Sequence, residues 1–215
     1  MKLNRYIDHT NLKPSATQED IRRLCAEAKA QHFASVCVSP IQVDLAKSEL
    51  VGSDVKVCTV IGFPSGAHTT EAKAFEAADA VRRGCDEVDM VIAIGALREG
   101  RTQYVLEDIK AVVQAAQGRC VKVILETALL TDEQIVTATE LSCQAGAHFV
   151  KTCTGFAGGG ATVEHVKLMK QHVTEGVLVK ASGGIKDYQT ALALVQAGAD
   201  RLGTSSGMQI VQGEE

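Results

Sequence analysis

One joint recurs in this chain and limits the folds open to it. It reads "RRGCDEVDMV", "QAGAHFVKTC" and "QAGADRLGTS". Each time a helical pattern ends on a glycine (Gly84, Gly146, Gly198), the chain turns within two or three residues, and an apolar strand begins. Glycine is the usual residue just past a helix C-terminus because it accepts a left-handed backbone. A helix-to-strand joint used this way implies one βα unit repeated along the chain. Eight strand-like runs are present: "RYIDHT", "SVCVSP", "VKVCTVIGF", "EVDMVIAI", "VKVILETAL", "HFVKTCT", "VLVKAS" and "RLGTSS". Most read as continuous apolar runs, which suits parallel strands covered on both faces. Eight such units in roughly 200–250 residues make a TIM (β/α)8 barrel. The 215 residues are therefore expected to form a single α/β domain over 1–215. A doubly wound open sheet is the alternative. No Pro/Gly/Ser linker divides the chain.

Helix signals lie between the strands. Thr17 with Asp20 and Thr131 with Gln134 have capping-box spacing. Ser39 and Pro40 read as an N-cap and first helical residue. "VEHVKLMKQHV" and "DYQTALALVQAG" follow the later strands.

Bulk properties exclude several function classes. The net charge of −4 is spread in mixed sign, with no basic stripe for nucleic acid. No apolar stretch is long enough to span a bilayer. The start, "MKLNRYIDHTNLKP", lacks a signal-peptide core. Seven cysteines without a C-x-x-C pair suit a reducing cytoplasm better than a disulfide framework. The six histidines show no H-x-H or H-E-x-x-H spacing, so no metal is expected. His165 and His172 read as surface residues of a helix.

In a TIM barrel the chemistry sits at the C-terminal ends of the strands. Lys151 ends the sixth strand and Lys180 the seventh; Asp89 lies inside the fourth and Asp8 in the first. Taken singly, each has a plain structural reading. A strand-end lysine is usually solvated, Asp89 can be an ion-pair partner, and Asp8 can cap a turn. Together they suggest catalysis. Consecutive strands lie about 4.8 Å apart, so the two amines would be neighbours. Two close ammonium groups disfavour each other's charge. At a reference pKa of about 10.4, only about one lysine in 2,500 is neutral at pH 7, and only the neutral amine attacks a carbonyl. Asp89 would then be a partner or a proton shuttle.

Glycine-rich loops follow the last three strands, as "TGFAGGGAT", "ASGGIKD" and "GTSSGMQI". Exposed backbone N–H groups ahead of a helix favour an anion. Gly155, Gly183, Gly184, Ser205 and Ser206 are therefore candidate phosphate ligands, with tight packing as the alternative. Cys37, in "VCVSP", either lines the barrel mouth or packs as an apolar residue.

"IDHTNLKP", "EVDMV", "VKTCTGF", "VKASGG" and "GTSSG", in this order from Ile7 to Gly207, resemble the deoxyribose-phosphate aldolase family of class I aldolases. The resemblance implies that Lys151 forms the Schiff base. It implies that Lys180 lowers the pKa of Lys151 and joins a proton relay with Asp89 and a water. Asp8 and Thr10 would line the substrate site, and the loop glycines and serines would hold the phosphate. It also implies reversible cleavage of 2-deoxy-D-ribose 5-phosphate to D-glyceraldehyde 3-phosphate and acetaldehyde, in deoxyribonucleoside breakdown. No cofactor is expected, and a homo-oligomer, dimer or tetramer, is. A transaldolase-like Schiff-base barrel and a phosphosugar-binding barrel without turnover are the alternatives. Phe156 stands where some family members carry a lysine, and the chain stops short of the tyrosine-ended tail of others.

Overall fold

A computed structural model describes residues 1–214. Eight parallel strands close into a barrel in sequence order: β1 Ile7–Asn11, β2 Ser35–Val38, β3 Lys56–Ile61, β4 Glu87–Val91, β5 Cys120–Ile124, β6 Phe149–Lys151, β7 Leu178–Ser182 and β8 Arg201–Thr204. β1 closes the ring, pairing with β2 on one side and β8 on the other. The open-sheet alternative is therefore set aside. The helices are α1 Gln18–Gln31, α2 Val43–Glu49, α3 Thr70–Arg82, α4 Ile94–Arg98, α5 Thr102–Ala115, α6 Asp132–Gln144, α7 Val163–His172, α8 Tyr188–Gln196 and α9 Gly207–Gln212.

Local signals explain several boundaries. Thr17 and Asp20 form a reciprocal capping box at α1, and Thr131 and Gln134 do so at α6. Gly84, Gly146 and Gly198 all have positive φ (93°, 84° and 113°), which fits their place at the recurring joint. Ser39 and Pro40 stand at the N-cap and first helical position, but of a 3-10 turn. Pro40 opens a 3-10 turn, Pro40–Gln42, the Ser39 side chain makes no cap bond, and the α-helix begins only at Val43.

The strands alternate more than their sequence suggests. Val36, Val57, Val88, Val121, Val150, Val179 and Leu202 join the large apolar core shared with the helices. The residues beside several of them turn the other way, into the barrel: Asp89 beside Val88, Lys122 beside Val121, Lys151 beside Val150 and Lys180 beside Val179. Side chains alternate faces along a strand, so an outward valine forces its neighbour inward. This barrel is filled largely by charge where apolar layers are usual.

Gly203 makes room for that charge. A Cβ there would lie 2.9 Å from Ser182 Cβ and 3.0 Å from Lys180 Cε. Gly203→Ala is expected to destabilise the fold by about 1–3 kcal/mol through overpacking. Urea unfolding would show it as a lowered midpoint with an unchanged slope.

Candidate active site

The inward charges form one buried set. Asp89 Oδ2 accepts from Lys151 Nζ and from Lys180 Nζ, each at 2.7 Å, and Asp89 Oδ1 accepts from Lys122 Nζ at 2.9 Å. Lys180 Nζ lies 2.5 Å from Asp8 Oδ2. Lys122 Nζ lies 2.5 Å from Glu87 Oε2. Arg201 closes the far side on Asp8, at 2.6 Å, and Glu87, at 2.8 Å. Four cations thus face three carboxylates. Lys151 and Lys180 are register partners across β6 and β7, as neighbouring lysines were expected to be.

The electrostatics of Lys180 differ from simple mutual repulsion. Burial pulls its proton affinity down, but the carboxylates of Asp8 and Asp89 more than offset this, and its pKa is raised. Burial pushes the Asp8 carboxyl up, but Lys180, Arg201 and Lys122 hold it well below the usual carboxylate range. Asp89 is lowered in the same way, by Lys122, Lys151 and Lys180 against burial. Lys122 is raised, with Asp89 the largest influence opposing its burial.

A pH profile follows from these directions. The lowered carboxylates stabilise the fold fully above their ordinary value of 3.8, and this is lost as pH falls through their lower folded values. The raised lysines stabilise it fully below 10.5, and this is lost as pH rises through their higher folded values. Urea-unfolding free energies should show a flat contribution from this set between those limits. A loss centred near neutral pH would contradict it.

A cavity of about 450 Å³ opens above this set at the C-terminal ends of β1, β6, β7 and β8. Lys151, Thr10, Gly155, Gly183, Gly184 and Ser205 lie in its wall. Asp8 was expected against substrate, but its side chain is fully buried among Ser35, Lys180 and Arg201. Cys37 does not reach the wall either; it turns into the barrel and packs with Cys58 and Val60 beneath Leu12 and Phe63. Ser206 is not in the wall; it precedes α9, and its N–H donates to Thr204 Oγ1. Asp89 and Lys180 lie below the floor. Lys151 is the one amine of the buried set that reaches the cavity.

The threonine-rich segment after Lys151 holds it in place. Thr152 Oγ1 donates to Ser182 O and accepts from Ser182 N–H, both at 2.9 Å, tying the end of β6 to β7. Thr154 donates its N–H and its hydroxyl to the buried carboxylate of Glu126. Gly183 has φ 94°, and a Cβ there would lie 3.1 Å from Gly160 Cα, so the two glycine loops pack backbone to backbone. Small residues are needed here for that close approach.

Most of the other participants carry weaker signals in the sequence. Lys122, in "CVKVI", and Glu87 and Arg201, at strand starts, belong to the buried set. The signal for Lys122 was the same one that marked Asp89, a charge within an apolar strand. Lys13, Arg23 and Lys186 add positive charge to the cavity wall. Their positions in loops and on a helix give no such signal. His165 is half-buried rather than on the surface, with Nδ1 3.1 Å from Thr127 Oγ1, and His172 is also half-buried. Cys37, Cys58 and Asp89 bring three potential metal donors within 4.8 Å. Both Asp89 oxygens already carry ammonium groups, which compete with any added cation.

Known proteins resemble this chain along nearly its whole length. The family described as DeoC/LacD family aldolase matches residues 3–213. The deoxyribose-phosphate aldolase of Streptococcus sanguinis is 57% identical over 215 residues, covering 100% of this chain and 98% of that protein. That of Clostridium tetani is 55% identical over 213 residues, covering 99% of each. The tetrameric deoxyribose phosphate aldolase structure from Aeropyrum pernix superposes with a TM-score of 0.89 at 35% identity, covering 98% of this chain and 89% of that one.

Proposed function

The chain belongs to the DeoC/LacD family of aldolases, and from that premise we propose that Lys151 is its Schiff-base nucleophile. The reaction is reversible cleavage of 2-deoxy-D-ribose 5-phosphate to D-glyceraldehyde 3-phosphate and acetaldehyde. The observation that carries the assignment is that Lys151 alone joins the buried charges to the cavity.

Attack requires Lys151 as the free amine. With its proton gone, three cations stand against three carboxylates. The amine adds to C1 of the open-chain sugar, and water leaves to give an iminium. The iminium cation takes over the place of the ammonium against Asp89 Oδ2. The C3 hydroxyl then loses its proton, the C2–C3 bond breaks, and its electrons flow into the iminium to give an enamine. Protonation at C2 and hydrolysis release acetaldehyde and restore Lys151. Asp89 and Lys180 share one oxygen contact next to the reacting nitrogen, which suits them to relay protons, together with a water, from below the cavity floor. Gly155, Gly183, Gly184 and Ser205, with Lys186 and Arg23 nearby, hold the phosphate away from the bond that breaks and so position C1.

The same reading makes residues 1–215 one working unit in the cytoplasm and a homo-oligomer, as the Aeropyrum pernix relative is. No helix among the described residues is long and apolar enough to cross a membrane.

Borohydride trapping tests the assignment. Protein mixed with 2-deoxyribose 5-phosphate and reduced should carry a single adduct, mapped by mass spectrometry to Lys151. Product formation with Lys151 unmodified would remove the Schiff base from this residue. Absence of both adduct and product would favour a binding-only barrel.

A further inference from the structure

Cys37 and Cys58 face each other in register across β2 and β3. Both side chains are buried inside the barrel, and their sulfurs lie within 4.8 Å of each other and of an Asp89 oxygen. The Cys58 thiol donates to Asp89 Oδ1 at 3.1 Å, and Lys122 Nζ stands 3.4 Å from the same sulfur. The pair therefore touches the carboxylate that holds Lys151 and Lys180, yet the mechanism above uses neither thiol.

Paired strands sit about 4.8 Å apart, within the roughly 4.4–6.8 Å between α-carbons that a disulfide spans. Residues in register on neighbouring strands also project to the same face. A disulfide at Cys37 and Cys58 thus needs little backbone movement. A bound metal is the competing use of two thiols and a carboxylate, but the ammonium groups on Asp89 oppose an incoming cation. They do not oppose a reaction that leaves both sulfurs neutral.

We propose that Cys37 and Cys58 form a peroxide-sensitive thiol pair whose closure to a disulfide turns down the neighbouring site. The neighbouring Cys58 side chain pulls the Cys37 thiol below its ordinary value, with help from Lys180 and Lys151 and against burial and Asp89. Burial pushes the Cys58 thiol up. Cys37 is thus the thiol that yields a thiolate first. Its sulfur attacks hydrogen peroxide and the O–O bond breaks. Cys37 becomes a sulfenic acid, and the leaving hydroxide takes up the thiol proton to form water. The Cys58 sulfur then attacks the Cys37 sulfur, its proton goes to the departing hydroxide, and a second water leaves. Two thiols and one peroxide give one disulfide and two waters. Leu12 and Phe63 pack against the pair, and Leu12 also lines the cavity.

Closure removes the Cys58 hydrogen bond to Asp89. The effect on turnover rests on the role proposed above for Asp89; formation of the disulfide does not. The test treats the whole protein with hydrogen peroxide, digests it without reductant and maps the peptides, with aldolase activity followed in parallel. The expected result is a Cys37–Cys58 cross-link lighter by two hydrogens, with activity falling about tenfold and returning with dithiothreitol. Cys58→Ala, compared with its own untreated rate, should lose far less on peroxide treatment. A sulfinic acid on Cys37 with no cross-link would overturn the proposal, as would a disulfide through the half-buried Cys120 or Cys143. A Cys37–Cys58 cross-link that leaves activity unchanged would overturn its coupling to the site. A cross-link in a protein with no aldolase activity at all, treated or untreated, would support the thiol pair and place the failure in the functional reading.

Discussion

Lys151→Leu is expected to lower kcat/KM for 2-deoxyribose 5-phosphate by on the order of 10⁴-fold or more, because no other group can take over covalent attack at that place. The same change should leave the fold intact. Lys151 contributes one of four cations to a set with three carboxylates. Its removal leaves Asp89 Oδ2 paired with Lys180 at 2.7 Å and Asp89 Oδ1 with Lys122 at 2.9 Å. No buried carboxylate loses its last partner, and an apolar side chain of similar width fills the space. The melting temperature is therefore expected to hold or rise slightly. Turnover within about tenfold of wild type, in a variant with a normal melting curve, would exclude Lys151 as the nucleophile.

Asp89→Leu should have the opposite balance of effects. It removes the hub on which three lysines meet and leaves four cations with two carboxylates. Lys151 loses its one carboxylate partner among the described residues. Breaking a buried pair by deleting one member costs about 3–5 kcal/mol, since the remaining charge is left without compensation. For a chain of this size that is a fall of about 2–4 °C in melting temperature per kcal/mol. Activity should fall as well, because Asp89 faces the reacting nitrogen. The comparison decides the matter. If Lys151→Leu destabilises as much as Asp89→Leu, the surplus of positive charge in the set is not what governs its stability.

Much of the architecture is legible in the amino-acid sequence. The glycine joint at Gly84, Gly146 and Gly198 and the eight apolar runs point to a repeated βα unit, because both depend on local backbone chemistry. The capping boxes at Thr17 and Thr131 are local for the same reason. Lys151, Lys180 and Asp89 stood out because a charge within an apolar strand has to be explained. Lys122 meets the same criterion. Glu87 and Arg201 lie at strand starts, where a charge attracts no notice.

Contacts between distant strands were another matter. Sequence placed Asp8 and Thr10 together at the substrate, with Cys37 as a candidate at the barrel mouth, yet only Thr10 reaches the cavity. Asp8 pairs with Arg201 and Lys180, far from it in sequence. Sequence also suggested that two adjacent ammonium groups would depress each other, whereas Asp8 and Asp89 keep Lys180 charged. The amino-acid sequence by itself determined the repeat, its strand and helix order, and the residue types available for the chemistry. These follow from hydrophobic pattern and backbone preference, which act over a few residues. Only the closed barrel decided which charges meet, which are buried and which one opens to the cavity. Those depend on strand register and on the inward turn of every second side chain around a ring whose first and last strands are joined.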